Sequence, residues 1–234
     1  MNWNAPKLWE GNRCFILGGG SSISEQFGVP DDIVRKVMDK KLPISAYSEF
    51  IKPLLKEERV IAINAAFKIG NWIDCMFFGD AGWYLPNREQ LINFGGIKVT
   101  CAPKFASKRV DQSEGIKYLG RDGKKTEGIS DQTNTVCWNK NSGAASISLA
   151  AHFGCKQIIL LGFDMNMIEM EGKLNHHWHT DYKSQKQPPF KRHLKGFGQI
   201  AIDAKQRNIE ILNCSPDSSI KCFPIVNLKE VLSV

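Results

Sequence analysis

A chain of 234 residues with 42% hydrophobic and 10% aromatic content can bury a substantial core, which excludes an intrinsically disordered protein. Its formal charge of +7 favours anionic partners such as nucleotides, nucleic acid or acidic glycans, although the bases are spread through 36–41, 104–109, 121–125 and 183–195 without one long run. The longest apolar runs are strand-length, far short of the roughly 20 residues of a membrane helix, and the first residues lack the apolar stretch of a signal peptide, so a cytoplasmic chain with no membrane span is expected.

In chain order, Cys14–Leu17 reads as a short strand emptying into the turn Gly18-Gly-Gly-Ser-Ser22. Residues 30–40 carry acids at their start and bases at their end, which suits a helix dipole. Strands follow at 59–64, 74–80 and 97–102, whereas 103–141 is polar and poorly periodic and should be mostly loop. A helix is expected over 142–154, with a serine start, small residues throughout and a glycine stop. Residues 157–161 form the next strand, 165–197 a polar lid-like excursion, 198–208 a helix and 209–214 the last core strand. The alternation predicts one Rossmann-like α/β domain over 1–234, with a doubly wound, mainly parallel sheet. The cysteines at 14, 75, 101, 137, 155, 214 and 222 are odd in number and never spaced as CxxC, so they read as reduced core thiols.

Open α/β sheets bind ligands at the carboxyl edge of their strands, so the turns after Leu17 and Leu161 should lie side by side and frame the site. Glycines 18, 19 and 20 allow close backbone approach, and Ser21 and Ser22 offer hydroxyls at a helix start. The turn lacks the Gly-Lys-Ser/Thr of a P-loop and the third glycine of a dinucleotide fingerprint, and a purely structural tight turn is the alternative. Asp80 and Asp164 each end an apolar strand, where a carboxylate accepts from a ribose hydroxyl, binds Mg²⁺, or caps the next helix. Trp83 and Tyr84 suit either stacking on a ligand or the core, and His152 reads as a packed helix residue. Residues 175–182 hold three histidines together with Trp178, Asp181 and Tyr182. That composition fits a lid supplying a proton acceptor, a zinc or manganese site built from His177, His179 and Asp181, or an ordinary surface loop.

The stretch Ile16-LGGGSS-Ser22, Asn64 at a strand end, the run from Ser142 through Gly162-Phe-Asp164, and Asn213-CSPDS-Ser218 occur in the order seen in bacterial sialyltransferases of the Campylobacter lipooligosaccharide type. The chain also resembles related motility-accessory and pterin-pyrophosphokinase-like Rossmann proteins, including bacteriophage members. This resemblance implies a nucleotide-sugar donor, CMP- or UDP-linked. Gly18, Gly19, Gly20 and Ser21 would meet its phosphates, Asn64 the nucleotide-sugar, Ser142, Gly143, Gly162 and Asp164 the nucleoside, and Ser215, Asp217 and Ser218 the nucleotide face. It also implies a lid histidine as general base, with His177, His179 and His193 as candidates, and a lid tyrosine such as Tyr182 steadying the leaving phosphate. Two departures stand out: Asp217 replaces an asparagine, and Gly79-Asp80 replaces Asn-Pro. The acceptor would be an anionic glycan or a nucleic acid, and a homo-oligomer stays open. Two alternatives remain: Mg- or Mn-assisted pyrophosphoryl transfer to a pterin-like alcohol through Asp80, Asp164 and Asp217, and a non-catalytic nucleotide- or nucleic-acid-binding module.

Overall fold

The computed structural model describes residues 2–102, 114–170, 173–175, 177–179 and 190–233. Five strands, β1 (Arg13–Leu17), β2 (Arg59–Ile63), β3 (Cys75–Phe78), β4 (Ile97–Thr100) and β5 (Lys117–Tyr118), run outward in one direction. After the small parallel pair β6 (Gly120–Arg121) and β7 (Thr135–Val136), the chain returns across β1 to add β8 (Gln157–Leu161). Two short strands, β9 (Ile168–Met170) and β10 (Lys173–Asn175), form a hairpin in the excursion, and β11 (Glu210–Asn213) completes the main sheet. The seven-stranded order is β11-β8-β1-β2-β3-β4-β5, with every pairing parallel. The winding direction reverses between β1 and β8, which is where open sheets of this type leave a crevice for ligands.

Parallel strands need crossovers, and the helices supply them on both faces. Helices α1 (Ser22–Gln26), α2 (Asp31–Met38), α3 (Ser48–Leu55) and α4 (Ala81–Ile92) cover one face together with the terminal α8 (Leu228–Leu232). Helices α5 (Ser142–His152) and α7 (Lys195–Gln206) cover the other, with the single turn α6 (Phe190–His193) leading into α7. Strand alternation distributes the core: Phe15 and Leu17 point to the first face, Cys14 and Ile16 to the second, and all four are fully buried. Burial on both faces explains why β1 and β8 read as unbroken apolar runs rather than as alternating ones.

Helix α5 packs closely because its residues are small. Ala144, Ala145, Ser146, Ser148 and Ala150 are all buried, and Asn141 caps the helix by accepting from Gly143 N at 2.8 Å. Six of the seven cysteines are buried free thiols, as expected of core residues, while Cys222 is exposed. Residues 117–118, 120–121 and 135–136 form two-residue strands within a stretch that is otherwise irregular over 114–141, as a mostly-loop segment should be, and residues 103–113 lie outside the described residues.

Candidate functional site

The two turns at the switch point are laced together through their backbones. Gly18 N donates to Leu161 O at 2.7 Å, and Gly20 N donates to Gly162 O at 2.8 Å. A Cβ at Gly18 would stand 2.6 Å from Gly162 O, and one at Gly20 would stand equally near Gly162 O and the Asp164 carboxylate. The glycines therefore admit a neighbouring strand turn, and the same steric freedom serves the fold before it serves a ligand.

Asp164 completes this brace. Its buried carboxylate accepts from Ser22 N at 2.9 Å, Ser22 Oγ at 2.5 Å and Ser21 Oγ at 3.2 Å. A negative charge thus already sits where the amides at the start of α1 would meet a phosphate. Behind it, Ser215 Oγ accepts from Phe163 N at 2.9 Å, and Ser218 Oγ donates to Phe163 O at 2.6 Å. Asp217 is exposed at the surface, where its backbone carbonyl accepts from Asn166 Nδ2. Ser21, Ser22, Asp164, Ser215 and Ser218 are brought together as an internal support, and none of them lines the cavity beside the turns.

That cavity has a volume of about 320 Å³. Gly18, Gly19, Gly20 and Gly162 form one wall, and Asn64 with Asp80 closes the carboxyl ends of β2 and β3. Ser142 and Gly143 enter from the start of α5, and His177, His179 and His193 enter from the excursion. Asp80 also caps α4, accepting from Gly82 N at 2.8 Å. Three lining residues, Asn64, Lys140 and Met165, hold left-handed backbones at φ 50°, 56° and 51°. Such strain persists only where surrounding contacts enforce it, and it concentrates at binding sites. Two lining side chains are also unsatisfied: Asn64 Oδ1 and Trp83 Nε1 are buried without a hydrogen-bond partner among the described residues. A buried polar atom left unpaired costs about 1–3 kcal/mol, a deficit that a ligand can remove.

Residues 177 and 178 dock on the turn through the carbonyls that the lacing leaves over. Trp178, 1% exposed, donates Nε1–H to Gly18 O at 3.1 Å and its backbone N–H to Gly19 O at 3.3 Å, and it packs against Tyr47 at 4.7 Å. His177 Nδ1 lies 3.0 Å from the same Gly19 carbonyl. Because a carbonyl can only accept, Nδ1 carries a proton in this contact. The rings of His177 and His179 are stacked, 5.4 Å apart and 7° from parallel. Tyr182 and Asp181 lie outside the described residues.

His193 and His152 share one electrostatic feature. Burial pushes each imidazole below its usual 6.5; Arg192 adds to the effect at His193, and Arg207 adds to it at His152. The Thr135 carbonyl 2.8 Å from His152 Nε2 and the Asp131 charge oppose that shift without reversing it. An unfolded chain therefore takes up protons at these positions before the folded one does. The stability they contribute is complete above pH 6.5 and is lost as pH falls through the lowered folded values. Urea midpoints measured between about pH 7.5 and 5 should fall with acidity. His152→Gln should flatten part of that slope, and an unchanged slope would remove His152 as a source.

Among the cavity residues that the sequence pattern did not single out are Trp138, Lys140 and Arg192. Trp138 is held by Arg121, whose guanidinium lies 3.7 Å over its ring while donating to Gly79 O at 2.6 Å and Cys101 O at 2.8 Å. The available signal was the Trp-Asn-Lys-Asn run just before the Ser142-Gly helix start.

No protein-family model and no curated protein sequence matches the chain. Among solved structures, the MAf glycosyltransferase from Magnetospirillum magneticum AMB-1 matches over 97% of this chain, with a TM-score of 0.53 and 14% identity. The match covers 35% of that protein, so the chain spans about a third of its length. The sialyltransferase CstII from Campylobacter jejuni, in complex with cytidine-5'-monophosphate, matches over 93% of this chain and 86% of its own, at 11% identity and a TM-score of 0.47. Its complex with CMP-3FNeuAc matches over 92% and 86%, at 12% identity and a TM-score of 0.46. The first likeness establishes the fold: this chain has a Rossmann-like α/β sheet of the kind found in a glycosyltransferase.

Proposed function

We propose that the chain is a nucleotide-dependent glycosyltransferase that takes a CMP- or UDP-linked sugar in the cavity at the β1–β8 switch point. The observation that carries this reading is the position of His177, which lines the cavity with its tautomer set by Gly19 O. An imidazole held in one orientation by a fixed acceptor is the arrangement a general base requires. In the reaction, an acceptor hydroxyl attacks the anomeric carbon, the carbon–oxygen bond to the nucleotide phosphate breaks, and His177 Nε2 takes the hydroxyl proton. His193, kept neutral by burial, is the second candidate for that role. An anionic glycan suits the basic chain as acceptor.

Pyrophosphoryl transfer fits less well, because it needs Asp80, Asp164 and Asp217 around one cation. Only Asp80 lines the cavity; Asp164 is engaged by Ser21 and Ser22, and Asp217 is at the surface. Among the described residues, no group of three or more His, Cys, Asp and Glu side chains is arranged to hold a metal. The test is a thermal-shift panel of CMP, UDP, GDP, ADP and ATP, with and without Mg²⁺ or Mn²⁺. A nucleotide at a hundred times its dissociation constant should stabilise the fold by about 2.7 kcal/mol. Stabilisation by CMP or UDP supports the proposal, no shift with any nucleotide sinks it, and binding without turnover of any donor leaves the non-catalytic module.

A further inference from the structure

The glycine turn is poorly placed to hold the phosphate of such a donor. The amides of Gly18, Gly20 and Ser22 are all donated to the Leu161–Asp164 segment, and the carbonyls of Gly18 and Gly19 are occupied by the lid. The nearest fixed charge is the Asp164 carboxylate, which repels a second anion. Positive charge enters the cavity elsewhere, on Lys140 and Arg192. Neither has an ion-pair or hydrogen-bond partner among the described residues, and the one carboxylate in the lining, Asp80, caps α4.

The backbone at Lys140 is built for display. Asn139 and Lys140 are consecutive left-handed residues, at φ 51° and 56°. Asn139, 1% exposed, locks this conformation by accepting from Gly128 N at 2.7 Å and donating to Gly128 O and Cys137 O, each at 3.0 Å. A buried residue with three hydrogen bonds therefore enforces the strain that brings an unpaired lysine to the cavity. Trp83 Nε1 and Asn64 Oδ1, unsatisfied on the same lining, independently mark the space as one that takes a polar ligand.

We infer that Lys140 and Arg192 hold the phosphate of the bound nucleotide, and that the glycine turn does not. This rests on the donor-site reading above. The experiment is calorimetric titration of cytidine, CMP, uridine and UDP into the wild type, Lys140→Gln, Arg192→Gln and the double variant. The wild type should prefer nucleotide to parent nucleoside by about a hundredfold, each single variant should lose about tenfold of that preference, and the double variant should lose nearly all of it. Nucleoside affinity should stay within about twofold throughout, because both replaced side chains are exposed and only their charge is removed. A double variant that keeps the wild-type preference overturns the assignment while leaving the transferase reading intact, and so does one that weakens nucleoside and nucleotide equally. A wild type that binds none of the four overturns both.

Discussion

His177→Ala is expected to lower kcat by roughly 10²- to 10⁴-fold while leaving nucleotide affinity within a few-fold, because a general base acts in the transition state and not on the bound donor. The donor to use is whichever nucleotide-sugar the binding panel identifies. The wild-type rate should fall as pH drops through the pKa of the base, since only the neutral ring accepts a proton, and the variant should lose that limb of the profile. His179 is the internal control: it stacks on His177 and is itself buried at 3% exposure, so replacing it should disturb packing more than proton transfer. If His177→Ala keeps full turnover and His193→Ala loses it, the base is His193. If both keep full turnover, the lid-base mechanism is wrong.

Asp164→Ala should destabilise the protein by about 3 kcal/mol, since three donors lose a charged acceptor inside the fold and two of them, Ser22 N and Ser21 Oγ, are left unsatisfied while Ser22 Oγ keeps Ser215 Oγ at 3.2 Å. For a chain of this size that corresponds to a fall in Tm of about 6–12 °C. Ser22→Ala, which removes a hydroxyl and leaves the Ser22 amide paired with the carboxylate, should cost about 1 kcal/mol. Were Asp164 a ligand contact rather than a brace, Asp164→Ala would weaken nucleotide binding and leave thermal stability unchanged.

Much of the sheet was legible because strands buried on both faces leave continuous apolar runs, as at Cys14–Leu17, Cys75–Phe78 and Ile158–Leu161. Helix α4 was not legible: it carries Pro86 inside, buries Asn87, and leaves Leu85 and Ile92 half exposed, so no apolar stripe emerges. Helix α3 was hidden for another reason: Pro53 stands inside it, although Ile51 and Leu55, one turn apart, form its buried face. At the site, the adjacency of the Gly18–Ser22 and Gly162–Asp164 turns was readable from strand order, and it is what β1–β8 pairing produces. What each residue does there was not readable. A glycine that admits a phosphate and a glycine that admits another backbone look alike in sequence, and so do an aspartate meeting a ribose and one meeting Ser22. Lys140 was hidden for a different reason: its placement depends on Asn139 bonding Gly128, eleven residues away in a stretch without periodicity.

The β1–β8 pairing joins Arg13 to Gln157 and Leu17 to Leu161, so the two halves of the cavity wall are made at widely separated times during synthesis. With translation at about 5–20 residues per second, one edge of β1 waits on the order of 10–30 s for its partner after β1 itself has been made. Over that interval a strand that is apolar from Cys14 to Leu17 presents an open hydrogen-bonding edge, the hazard that makes parallel sheets slow and aggregation-exposed folders. A ribosome-stalled fragment ending near residue 150 should therefore bind chaperones and no nucleotide, and both behaviours should reverse once β8 and its turn have emerged.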